Sequence, residues 1–289
     1  MKEIQMASPS AVRQVLQARG LAAKKNWGQN FLTDSAIAES IAAQVPPDNL
    51  LYEIGPGLGA LSQFLLPRAG LLALVEIDPG LAAWLQQLFA EESATQRVDI
   101  LQGDALELNF DAHAQQHGFA NYVICGNLPY YITTPLLKHF LCQKHWGQMV
   151  FLVQREAAQR MAARAGNKDY GLLNLMIEYH AELDFLFDVA DSAFYPRPEV
   201  QSTLIRFSRR PAPAITVRDE HLLFATINAA LAQRRKTLVN ALKNSGLAPG
   251  VDWPLLLASI AIDGQRRGET LSLEEFGMCS DALWQQLHS

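Results

Sequence analysis

The chain has 289 residues, 49% hydrophobic and 18% charged, with net charge −5 and an isoelectric point near 5.8. That suits one large and one small globular domain and argues against a uniformly basic, polyanion-binding surface. Three cysteines (Cys125, Cys142 and Cys279) without Cys-x-x-Cys spacing exclude a disulfide framework and a cysteine zinc site.

The opening MKEIQMASPSAVRQVLQ is charged and polar and lacks the apolar centre of a secretory signal. The most apolar stretch, FLLPRAGLLALVEID, is interrupted by Pro67 and Arg68 and cannot span a bilayer. A cytoplasmic protein with no membrane association is expected.

From about residue 35 to 165 helix and strand patterns alternate. SAIAESIAAQV sets Ile37, Ile41 and Val45 on one helical face behind a Thr33/Asp34/Ser35 cap signal. LLYEIG reads as a buried strand, LGALSQFLLP as a helix and LLALVEID as a strand. PGLAAWLQQLFAEE reads as a helix opened by proline. RVDILQGD and NYVICGN follow as strands, TTPLLKHFLCQ as a helix, QMVFLVQ as a strand and REAAQRMAARA as a helix. Such alternation predicts an α/β fold, a parallel sheet with helices on both faces.

After residue 180 the pattern changes. ELDFLFDVA and VQSTLIRFSRR read as two strands joined through FYPRPE, an antiparallel addition at the sheet edge. RRPAPA, residues 209–214, has a linker's composition, and beyond it only helical periodicity remains. The expected domains are therefore 1–210, with a basic arm over 1–25, and an all-helical domain over 215–289. No heptad or long apolar surface helix is legible, so a monomer is expected. The seven histidines show no His-x-His or His-Glu-x-x-His spacing, and no metal site is expected.

In an open parallel sheet, ligands bind outside the carboxyl ends of the strands. The strands here end at Glu53 with the glycines of GPGLG, at Glu76, at Gly103-Asp104 and at Asn127. Four successive strands thus deliver polar or glycine chemistry to one edge. Gly55, Gly57 and Gly59 allow backbone to approach a ligand. Glu76, 21 residues after Gly55, is placed to accept both hydroxyls of a ribose. Asp104 can accept an exocyclic purine amine, so the expected ligand is an adenosine compound. GPGLGA formally satisfies the dinucleotide fingerprint, but no hydride-transfer acid follows. S-adenosylmethionine, whose amino-acid tail needs glycine backbone rather than a phosphate cradle, suits the stretch better.

The stretch Asn127-Leu128-Pro129-Tyr130 is either a turn after a strand or a catalytic loop. Adenine N6 is a poor nucleophile because its lone pair is conjugated into the ring. The Asn127 side-chain oxygen and the Leu128 carbonyl can accept both N6 hydrogens and favour a tetrahedral nitrogen. Pro129 holds the loop, and Tyr130 offers a face for a flipped-out base, worth ~1–3 kcal/mol. Two basic regions run against the acidic average: residues 1–25, with Lys24 and Lys25, and residues 197–243, with Arg234, Arg235 and Lys236 in QRRK. These five residues are the expected RNA contacts.

Together KKNWGQNFL, EIGPGLG, VEID, GDAL, GNLPYYITTP, SAFYPRPEVQS and QRRKTL, in this order, resemble the small-subunit (16S) ribosomal RNA adenine dimethyltransferases over residues 24–240. The resemblance implies a class I, Rossmann-like methyltransferase domain followed by a small helical domain. It implies transfer of two methyl groups to N6 of each of two adjacent adenosines in the 3′-terminal hairpin loop of 16S rRNA, in the course of ribosome biogenesis. It places cofactor contacts on Asn30, Leu32, Gly55, Glu76, Asp104 and Asn127, and sets Phe194 against the target base opposite Tyr130. Glu199 and Gln201 depart from the family's usual Lys and Asp. Three other readings stand beside it: a 23S rRNA adenine methyltransferase of the macrolide-resistance type, a ribosome-assembly or transcription factor retaining the fold, and a dinucleotide oxidoreductase.

Overall fold

The computed structural model describes residues 8–24, 28–129 and 132–288. The chain divides into two compact units, Met1–Ala158 with Leu183–Arg209, and Gln159–Glu182 with Arg210–Ser289.

The strands are β1 (Phe31–Leu32), β2 (Leu50–Ile54), β3 (Leu71–Glu76), β4 (Val98–Gln102), β5 (Tyr122–Asn127), β6 (Trp146–Gln154), β7 (Ala181–Val189), β8 (Phe194–Tyr195) and β9 (Ser202–Arg209). Seven of them form one sheet in the order β4-β3-β2-β5-β6-β9-β7. β4 through β6 run parallel, and β9 lies antiparallel on β6. Every residue of β2 and β3 is buried. That is why these strands read as unbroken apolar runs rather than as alternation. The chain builds outward in opposite directions from β2, leaving a topological switch point between β2 and β5. Gly126 is required there: a Cβ at that position would sit 2.5 Å from the Ile54 carbonyl oxygen.

The fold is the expected Rossmann-like one, with differences in its helices. Asp34 caps helix Ser35–Ala42 by accepting from the Ala36 and Ile37 N–H groups. Asp78 caps Pro79–Leu88 through the Gly80 N–H, and a second short helix, Ala90–Ala94, follows Phe89. The expected helix over LGALSQFLLP is only Ser62–Leu65 plus a 3-10 turn, Leu66–Arg68. Three helices have no counterpart in the sequence reading: Pro9–Ala18, Phe110–Gln116 and Leu172–His180. Phe110–Gln116 buries only Phe110 and Ala114, too little for a visible period.

The second unit is helical, built on Leu172–His180, Glu220–Leu231, Leu238–Ser245, Trp253–Ser259 and Leu273–Leu287. Residues 159–182 group with the segment after 210. Tyr170, Leu175 and Tyr179 share a core with Leu223, Ile227, Phe276 and Leu283, and the Tyr170 hydroxyl donates to Leu271 O at 3.1 Å. The strands β7 to β9 separate these partners in sequence, so composition marked only the linker near 210. Among the described residues no helix is long and apolar enough to cross a membrane.

Candidate functional site

A cavity opens at the carboxyl ends of β2, β3, β4 and β5, lined by Glu53, Gly55, Glu76, Asp104, Asn127 and residues around them. Glu76, the last residue of β3, is buried. One carboxylate oxygen accepts from the Gly57 N–H at 3.1 Å and the other from the Asp78 N–H at 2.9 Å. Each oxygen keeps a second lone pair for a ligand. Burial raises its pKa above the ordinary value, offset in part by those N–H groups.

Glu53 is 2% exposed, and its Oε2 has no hydrogen-bond partner. Burial pushes its pKa up to about 8, the Ser62 hydroxyl works against the shift, and the Glu76 charge adds to it. An orphaned carboxyl oxygen on the wall of a cavity is a place for a cation. Sequence reading placed Glu53 at the strand end but assigned it no ligand.

Gly55, Gly57 and Gly59 have φ of +66°, +59° and +86°. Their surroundings differ. A Cβ on Gly57 would meet the Phe31 ring at 3.0 Å and one on Gly59 would meet Leu88 at 2.9 Å, whereas nothing lies within 4 Å of Gly55. Only Gly55 leaves open space beside the backbone; the other two make room for side chains of the protein itself.

Asp104 lines the cavity, its Oδ1 accepting from the Leu106 N–H at 2.9 Å. Ile77, next to Glu76, also lines the cavity with 44% of its surface exposed, an apolar surface to which the sequence reading gave no role. Its signal was an apolar residue set between two acids.

Asn30 and Leu32 reach the cavity because β1 pairs antiparallel with β8, Leu32 opposite Phe194. The Thr33 N–H and hydroxyl both donate to Ala193 O, at 2.8 and 3.1 Å. Asn127 Nδ2 donates to Asn30 O at 2.9 Å, tying the end of β5 to the same segment. Beyond it the Leu128 N–H donates to Leu152 O at 3.1 Å. Pro129 O accepts from the Ile132 N–H at 3.2 Å and the Thr133 hydroxyl at 3.0 Å. The loop is anchored on both sides of the Leu128 carbonyl. Tyr130 lies outside the described residues. Phe194 is 3% exposed and packs in the core of this unit. It does not line the cavity, so stacking on a base requires its ring to swing out.

The basic residues are placed unequally. Lys24 Nζ lies 2.8 Å from Asp78 Oδ2. Burial alone would raise Asp78, but Lys24 and the Gly80 N–H hold its pKa below the ordinary value. Lys25 lies outside the described residues. The guanidinium groups of Arg13 and Arg19 stack over Tyr195 and Trp84, so these two arginines of the basic arm are already engaged by aromatic faces. Arg234 donates to Lys168 O and, at 2.7 Å, to Tyr170 O. Arg234, Arg235 and Lys236 are all exposed. QRRK therefore divides by hydrogen bonding rather than by burial, Arg234 fastening residues 168–170.

A model of the family described as ribosomal RNA adenine dimethylase matches residues 20–277. A ribosomal RNA small subunit methyltransferase A of Pelotomaculum thermopropionicum is 43% identical, covering 97% of this chain and 98% of its own. The protein of that name from Moorella thermoacetica is 40% identical, covering 96% and 98%. Among solved structures, a dimethyladenosine transferase from Plasmodium falciparum superposes with a TM-score of 0.69 at 22% identity, over 86% of this chain and 95% of that one. The 23S rRNA methyltransferase ErmE superposes with a TM-score of 0.62 at 23% identity, over 89% and 100%. These two structures show likeness of fold.

Proposed function

Because the chain belongs to the ribosomal RNA adenine dimethylase family, we propose that its strand-end cavity holds S-adenosylmethionine and serves an adenine N6 of small-subunit rRNA. It is an rRNA adenine dimethyltransferase. The target in this reading is a pair of adjacent adenosines in the 3′-terminal hairpin loop of 16S rRNA.

The residues present suit that cofactor. The unpartnered Glu53 oxygen matches the α-ammonium group, and the space beside Gly55 matches the amino-acid tail. Glu76 has lone pairs for the ribose hydroxyls, Asp104 for the adenine amine, and Ile77 an apolar surface for the ring. Asn30 and Leu32 complete the wall. Bound there, the cofactor supplies an electrophilic methyl group on a sulfonium.

The observation that carries the reading is the anchored amide of Asn127. With Nδ2 held by Asn30 O, Oδ1 is the end left to accept a hydrogen from the target N6. The Leu128 carbonyl is the second acceptor. Two acceptors on one amine draw its hydrogens out of the ring plane, free the lone pair from conjugation and aim it. Pro129 fixes the loop, and Tyr130 and Phe194 are the aromatic groups for the extruded base. Lys24, Lys25, Arg235 and Lys236 are the phosphate contacts of this reading, while Arg234, exposed beside the last two, is held by the Lys168 and Tyr170 carbonyls.

Mass spectrometry of rRNA from a strain lacking this gene, complemented with wild type or Asn127→Ala, tests it. The wild-type chain should restore dimethyladenosine in small-subunit rRNA and the variant should not. Methylation appearing in 23S rRNA would favour the macrolide-resistance reading. No methylation by the wild type would favour a factor that retains only the fold.

A further inference from the structure

A second cluster of ligand-type side chains lies away from the strand ends. Tyr52 of β2, Ala73 of β3 and Asp99 of β4 stand in register across three parallel strands. In-register residues of parallel strands project from one face. Ala73 is small, and His113 of helix Phe110–Gln116 bridges the row above it. Its Nδ1 is 2.7 Å from the Tyr52 hydroxyl, and its Nε2 is 3.0 Å from Asp99 Oδ2. One helical turn later, His117 places its Nε2 3.7 Å from the same oxygen. The two imidazole rings are 4.6 Å apart. One ligand atom from each of the three residues lies within 4.8 Å of the others.

The hydrogen-bond chain behind His113 points the same way. The Tyr52 hydroxyl can donate to Phe110 O at 3.2 Å. In that arrangement His113 donates from Nδ1 to the tyrosine oxygen, and its Nε2 lone pair faces a carboxylate oxygen. A proton on Nε2 satisfies that pair in the metal-free protein, and a divalent ion can take its place. A metal-bound histidine commonly has its other ring nitrogen held in this manner.

We propose that Asp99, His113 and His117 form a three-ligand site for a divalent transition ion of the Zn²⁺ class, with Tyr52 setting the His113 tautomer. Zinc bonds of ~2.0–2.2 Å set tetrahedral ligand atoms roughly 3.3 Å apart, between the two separations to Asp99 seen here. A small rotation of His117, 40% exposed at the end of its helix, closes the set and leaves a fourth position for water. Two imidazoles and one carboxylate suit Zn²⁺, Co²⁺, Ni²⁺ or Cu²⁺ rather than Mg²⁺ or Ca²⁺.

The site is separate from the cofactor cavity. Asp99 lies three residues, roughly 10 Å of strand at ~3.3 Å per residue, before the end of β4 at Gln102, and the cavity lining begins only beyond it, at Gly103 and Asp104. Its consequence is structural. β4 is the outer strand of the parallel run, and a seven-residue helix has little stability of its own. An ion held by both fastens one to the other.

The test uses the untagged full chain, stripped with chelator and titrated with Co²⁺ alone, then Zn²⁺. One Co²⁺ per chain should bind with a visible ligand-field band, Zn²⁺ should displace it, and the melting temperature should rise with Zn²⁺ concentration. His117→Ala and Asp99→Asn should each weaken binding by ~10-fold or more. His117→Ala leaves the Tyr52–His113–Asp99 chain intact, so that variant should melt near wild type when metal-free. Binding that is absent in wild type, or unchanged in both variants, overturns the proposal. Displacement of Co²⁺ by equimolar Mg²⁺ overturns the assigned class.

Discussion

The Asn127 side chain donates from Nδ2 to the backbone carbonyl of Asn30 across 2.9 Å. That bond joins the end of β5 to the segment leading into β1 and decides which end of the amide the cavity meets. Asn127→Ala should cut single-turnover methylation by ~10²-fold or more, the scale of losing one positioned group in a transition state. RNA affinity should change little. Equal loss of both in a filter-binding and single-turnover comparison would make Asn127 a structural residue.

Glu76 has two duties, because the oxygens that are to hold a ribose already hold the Gly57 and Asp78 N–H groups. Glu76→Ala should weaken S-adenosylmethionine binding by ~1.5–3 kcal/mol and also lower the melting temperature of the cofactor-free protein. Calorimetry showing unchanged affinity would remove Glu76 from the cofactor site.

Glu53 makes stability depend on pH. Its pKa is 4.5 when exposed and about 8 in the fold. Between those values the folded chain holds a proton that the unfolded chain has released. Its contribution is therefore full below about pH 4.5 and is lost as pH rises towards about 8. Glu53→Gln keeps the shape and cannot ionise. In cofactor-free melts the variant should gain on wild type between about pH 5 and pH 8, ending several degrees higher. A constant difference across that range would mean the carboxyl is not held neutral.

The basic cluster should separate by residue. Replacing Arg235 and Lys236 by Ala should flatten the slope of log K against log[salt] for rRNA binding by ~1.4–1.8, about one counterion per contact. Arg234→Ala should lower the melting temperature of the helical unit by a few degrees, because residues 168–170 lose their clamp. An unchanged slope in the double variant would leave those two side chains as solvated surface. Cofactor affinity should be the same in all of them.

The sequence by itself determined where the strand ends lie and what stands on them. A strand buried on both faces is an apolar run, and the first acid, amide or glycine after it marks the edge where a ligand binds. The positions of Glu76, Asp104 and Asn127 at strand ends were legible for that reason, as was the order of β2 to β6, whereas the helix Phe110–Gln116 between β4 and β5 was not. The boundaries of the short helices were not, since four to seven residues with one or two buried positions carry no period.

Only the tertiary structure decided the contacts between distant segments. It paired Leu32 with Phe194, anchored Asn127 on Asn30, set Arg234 against residues 168–170 and brought Asp99 to His113 and His117. The histidines are four apart, the second at the cap of the helix, which is the histidine separation of His-Glu-x-x-His with Ala114 where the glutamate would stand, so the motif search passed over them. Each partnership depends on which elements become neighbours when the sheet closes. Local periodicity sets the face a residue occupies but not what packs against it, and that choice belongs to the folded chain as a whole.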